Sequence, residues 1–72
     1  MQQKELKKLV DDGMLESVLV VDKSLHWEVC AFDRGGDFSV IRTARGGKRE
    51  FKTLDAARKM LEEASVKSFT VC

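Results

Sequence analysis

The chain has 72 residues, 43% apolar and 35% charged, with five Gly, no Pro and a net charge of +1. That size admits one domain, residues 1–72, and excludes a second. The composition is too apolar and too balanced in charge for a disordered segment. No apolar run approaches the ~20 residues of a membrane span, and two cysteines with one histidine cannot complete a four-ligand zinc site. The start, MQQKELKKLV, lacks the apolar run and cleavage site of a secretory leader, so a reduced, cytoplasmic setting is expected.

Gln2 to Asp12 reads as a short helix, because Leu6, Leu9, Val10 and Met14 make one apolar stripe and Gly13 suits its end. Lys4, Lys7 and Lys8 near its start, and Asp11 and Asp12 near its end, oppose the helix dipole. It must therefore dock on other elements to be stable. Leu15 to Asp22 is the clearest strand. Its unbroken Val18–Val21 run predicts a central position or cover on both faces. Asp22-Lys23-Ser24 is a hairpin turn.

Leu25 to Phe32 alternates, with Leu25, Trp27, Val29 and Ala31 assigned to the core and His26, Glu28, Cys30 and Phe32 to the other face. Asp33 to Asp37, with two glycines, is a loop. Phe38 to Thr43 is a third strand, with Phe38 and Val40 inward and Ile41 half exposed or covered by the first helix.

Arg45-Gly46-Gly47-Lys48 is a tight turn in which both glycines supply positive φ. Arg49 to Lys52 is a fourth strand with Phe51 in the core. Thr53 caps a second helix, with Asp55 in its first turn and Leu54, Ala57, Leu61 and Ala64 as the buried stripe beside Met60. After the turn Ser65-Val66-Lys67, Phe69 and Val71 form a last strand. The expected fold is α+β: a small antiparallel sheet in the order α-β-β-β-β-α-β, with strand order 5-1-2-3-4 and the helices packed on it.

Charge is unevenly placed. Residues 1–40 carry five basic and eight acidic side chains, a net of −3. Residues 41–59 carry seven basic and two acidic, a net of +5. A neutral chain with one cationic segment presents a local field without general stickiness.

No catalytic constellation accompanies it. His26 is the only histidine and has no nucleophile at a telling spacing; Cys30 and Trp27 read as structural, and Cys72 as an exposed terminal thiol. The Asp33–Asp37 loop lacks the ligand series of a calcium loop and the lysine-threonine of a phosphate loop. The chain is therefore expected to be no enzyme and to need no cofactor or metal.

The candidate binding residues are Arg42, Arg45, Gly46, Gly47, Lys48, Arg49 and Lys52. They would contact phosphates from a hairpin whose glycines allow close approach. The plainer reading of the same charges is a solvated hairpin edge that discourages sheet-to-sheet pairing.

From Thr43 to Val71 the chain resembles the small partition-associated proteins of plasmids and mobile elements, the ParC-type family. The likeness is carried by Ala44-Arg45-Gly46, Arg49 with Phe51, Thr53 to Ala56 and Phe69 to Val71, with the N-terminal KELKKLVDDG and the valine-rich strand also fitting. The strand-strand-strand-helix order, with a phenylalanine and a threonine entering the helix, is also similar to AP2-like and integrase arm-binding domains. These resemblances imply a non-enzymatic accessory role in plasmid or mobile-element maintenance, through the DNA backbone or a partition protein. The alternative is a protein-interaction or self-associating module, a homodimer among its forms. It would use an apolar patch around Cys30, Phe32 and Ile41, and neither reading involves a membrane.

Overall fold

The computed structural model covers residues 1–72. The first helix, α1 (Gln3–Asp11), starts where the Glu5 carboxylate accepts the Gln2 backbone N–H at 3.0 Å. It stops before Gly13, whose φ of +70° suits a residue without a Cβ. Lys7–Asp11 and Lys8–Asp12 pair one turn apart at 3.3 and 3.2 Å. Each exposed pair contributes a few tenths of a kcal/mol at most and gives the adversely placed Asp11 and Asp12 partners; Lys8, expected to oppose the dipole, lies in the last turn, where its charge suits it. Only Leu6 of the predicted stripe is fully buried; Met14 lies outside the helix and is exposed.

Strands β1 (Leu15–Asp22), β2 (Trp27–Asp33) and β3 (Phe38–Val40) form an antiparallel meander. Helix α2 (Leu54–Glu63) follows. Its cap is the expected one: the Ala56 N–H donates to the Thr53 hydroxyl at 3.0 Å. The last strand, β4 (Thr70–Val71), returns beside β1 and completes the order β3-β2-β1-β4. The α+β class and the placing of the last strand next to the first hold. Two details of the expected sheet do not.

Arg49 to Lys52 is not a fourth strand beside β3. Ile41 still donates its backbone N–H to Val29 of β2, at 2.8 Å. The chain then leaves the sheet as a hairpin and returns to pair Phe51 with Trp27 of β2, antiparallel. The hairpin is thus an excursion from one edge strand, and direction after it is the direction before it. For this reason β4 comes back parallel to β1, pairing Leu19 with Thr70, and the sheet is mixed rather than purely antiparallel.

The second correction is parity. One face of the sheet carries Val18, Val20, Val29 and Ala31, which join Ile41, Phe51, Leu6, the α2 residues Ala57, Met60 and Leu61, and the C-cap Ala64 in a single buried cluster. Both helices therefore cover that face. The register places Leu19, Cys30, Val40, Phe32 and Phe38 on the opposite face. Phe38, expected inward, is 54% exposed, whereas Ile41 is fully buried. The expected phase of the third strand is one residue out, and a slip of one inverts every side chain. Leu25, expected in the core, is 93% exposed because β2 begins only at Trp27, after a turn with Ser24 at a φ of +76°.

Candidate functional site

The hairpin that carries the cations is built by its own backbone. Arg42 and Lys48 form an antiparallel bridge, Thr43 donates to the Gly47 carbonyl at 2.8 Å, and Arg49 donates to the Ile41 carbonyl at 3.0 Å. Gly46 has a φ of +95°, but Gly47 does not enter the left-handed region, so only one of the two glycines is needed for its conformation. The base of the hairpin is tied to the start of the chain: the Arg42 N–H donates to the Met1 carbonyl, and Met1 nitrogen donates to Val40.

The candidate side chains take four positions. Arg42 and Arg49 converge on the N-terminal end of α1. With Gln2, Gln3, Lys4, Thr43 and Ala44 they line a shallow depression of about 350 Å³. Arg49 is the best ordered of them chemically. Its guanidinium donates to Gln3 Oε1 at 2.9 Å and lies 4.9 Å from the centre of the Phe51 ring. Arg42 spends one donor on the Gly46 carbonyl, at 2.9 Å, and faces no carboxylate. Arg45 sits exposed at the hairpin tip.

Lys48, opposite Arg42 in the bridge, reaches toward the helix-free face, with its ammonium 3.9 Å from Glu28. Lys52 lies beyond Phe51, at the entry to α2, and is exposed outside that depression. The structure thus brings Arg42 and Arg49 together with Lys4, which sequence reasoning did not include. Nothing along the chain announces that residue 4 lies beside residues 42 and 49. The Met1 backbone bonds to Val40 and Arg42 and the Arg49–Gln3 hydrogen bond create that proximity.

Gln2, Gln3 and Lys4, at the start of α1, line the depression, which places it at the positive end of the helix dipole. One local carboxylate, Glu5, is committed to the Gln2 N–H, and Gln3 Nε2 reaches Glu63 at 3.4 Å. The lining itself contains three cations and no carboxylate. Such a surface can hold a phosphate or sulfate oxygen by charge-assisted hydrogen bonds.

A second charged group lies at the opposite side of the hairpin. Glu28 is only 7% exposed, and His26 Nε2 donates to its carboxylate at 2.9 Å. That hydrogen bond holds the Glu28 carboxyl below its usual range, outweighing the cost of burial, with Lys48 and Lys23 adding to the effect. Glu50 approaches the same imidazole nitrogen at 3.9 Å. Cys30, 8% exposed, has its thiol pushed up by burial.

No nucleophile completes a catalytic arrangement with His26, and no group of three or more His, Cys, Asp or Glu is arranged to hold a metal ion. The Asp33–Asp37 loop is closed on itself: Asp33 Oδ1 accepts the N–H groups of Gly35 and Asp37 at 2.9 and 3.0 Å. No helix is long and apolar enough to cross a membrane.

Comparison with protein families, with curated proteins and with solved structures returned no match for this chain.

Proposed function

We propose that this protein is a non-catalytic binding protein that engages the phosphate backbone of DNA through the cationic hairpin and the start of α1. The observation that carries this reading is the convergence of Arg42, Arg49 and Lys4, from two distant segments, on one depression lined by no carboxylate. Arg45 extends the cationic strip to the hairpin tip. Three or four such groups suit a non-specific or register-setting contact, since phosphate contacts position a protein and carry no sequence information by themselves. A role in plasmid or mobile-element maintenance rests on the resemblance of Thr43 to Val71 to the ParC-type proteins, and a partition protein stays within that reading as a second partner.

The test is a salt titration of binding to non-specific duplex DNA. Binding at low salt should weaken linearly on a log–log plot. Arg42→Ala, Arg45→Ala and Arg49→Ala combined should flatten that slope by about two to three units, at ~0.9 for each phosphate no longer neutralised. An absence of binding at low salt, or an unchanged slope in the triple variant, overturns the proposal.

A further inference from the structure

The face of the sheet opposite the helices has the wrong chemistry for water. In a sheet with one solvated face the outward positions are ordinarily polar. Here the outward positions on β1 to β3 are Leu19, Val21, Cys30, Phe32, Phe38 and Val40, with Glu28 and Ser17 the polar exceptions. None of the six belongs to the core cluster. Phe32 and Phe38 stack on each other at 5.0 Å, leaving Phe38 more than half exposed.

The two ends of this face differ in charge. At the β2–β3 loop end stand Asp33 and Asp37, neither of which has a cationic partner. The neighbouring Arg34 is turned back onto Gly13 and Glu16. At the other end Lys23, Arg42 and Lys48 border a depression of about 590 Å³ floored by Leu19, Val21 and Cys30. Glu28 offsets one of these three cations.

We infer that this face is covered by the same face of a second copy, packed face to face about a two-fold axis that lies in the interface and runs across the strands. That operator sets the strands of the two sheets antiparallel. It lays the Asp33/Asp37 end of each copy over the Lys23/Arg42/Lys48 end of the other, so an isologous contact is complementary in charge. A two-fold axis along the strands would instead oppose like ends.

The area sets the strength. The twenty residues of the four strands, at ~3.3 Å along and ~4.8 Å across each strand, give ~320 Å² of flat sheet per copy. With side-chain relief the pair buries about 850 Å², below the range of stable specific interfaces, so the dimer is weak and transient. This inference shares Arg42 with the proposed phosphate site, but the residues that test it, Phe38, Asp37 and Lys23, lie outside that site.

Sedimentation velocity in reducing buffer, from about 10 µM to about 1 mM, should show the mean mass rising toward twice the monomer, as a dissociation constant in that range requires. Phe38→Asp should weaken association at least about tenfold while leaving the circular dichroism spectrum unchanged. Asp37→Lys and Lys23→Asp should each weaken it, and the double exchange should recover it to within about threefold of the parent. A strict monomer at the highest concentration overturns the inference, as does a Phe38→Asp dimer as strong as the parent. A double exchange no better than the weaker single variant overturns the proposed two-fold packing.

Discussion

Trp27 and Phe51 exchange both of their backbone hydrogen bonds, at 2.7 and 2.9 Å. Val40 pairs with Cys30 in the same sense three residues along β2, and Ile41 stands opposite Val29 between them. A single edge strand is therefore interrupted between Ile41 and Phe51. The intervening residues are free of the sheet and can carry charge without disturbing the core.

That continuity predicts the outcome of removing the hairpin. Residues 42–50 replaced by one threonine would join Ile41 to Phe51 in the register that Val29 and Trp27 already define. The gain from a shorter loop and the cost of giving up the Met1 and Gln3 hydrogen bonds should leave stability within about 2 kcal/mol of the parent. Circular dichroism and urea unfolding should show a folded, cooperative protein, and DNA binding should be gone. An unfolded product would mean that the hairpin is structural.

Within the proposed phosphate site, Lys4→Ala should weaken DNA binding about as much as Arg49→Ala does, whereas Lys52→Ala should leave it nearly unchanged. Lys4 and Arg49 share one depression, and Lys52 lies outside it. Fluorescence anisotropy at low salt measures all three. Equal losses at Lys4 and Lys52 would point to diffuse attraction rather than a site.

Leu61 and Leu25 make a paired test of the core. Leu61 is fully buried and Leu25 is 93% exposed. Leu61→Ala should cost about 2–5 kcal/mol, a large part of the ~4–11 kcal/mol expected of a domain this size. Leu25→Ser should change stability by no more than about 0.5 kcal/mol. Urea midpoints measure both, and a large loss at Leu25 would contradict its position in the β1–β2 turn.

The His26–Glu28 pair gives stability a defined dependence on pH. The folded-state carboxyl of Glu28 titrates below its ordinary value of 4.5, chiefly because His26 donates to it. Its contribution is thus fully present above the unfolded value and is lost as pH falls through the lower folded value. Glu28→Gln should be less stable than the parent at pH 6, and the gap should close progressively below about pH 4.5. Urea unfolding at a series of pH values measures it; a gap that persists unchanged into strong acid would remove the pair from the account.

The two thiols should differ in reactivity. Cys72 is exposed and Cys30 is 8% exposed, with its thiol pushed up by burial. A thiol reagent at mildly alkaline pH should modify one cysteine quickly and the second only on unfolding, because the thiolate reacts and must be reachable. Mass spectrometry of the partly labelled protein should place the fast label at Cys72.

Local chemistry was enough, read along the chain, for much of this molecule. The Thr53 cap, the Ala57–Met60–Leu61–Ala64 stripe of α2, the Val18–Val21 central strand and the crowding of positive charge into residues 41–59 all depend on neighbours within a few positions. Periodicity and capping report such neighbours directly. Contacts between distant segments decided the rest. Direction along β4 was set by Phe51 returning to Trp27, and the phase of Phe38 and Ile41 by pairing with β2. The company of Arg42 and Arg49 was set by Met1 lying alongside the hairpin base. The apolar face left without a helix follows from both helices choosing the same side of the sheet. A residue's own type and spacing carry no record of that choice, since it depends on which surfaces remain to be buried once the chain has closed on itself.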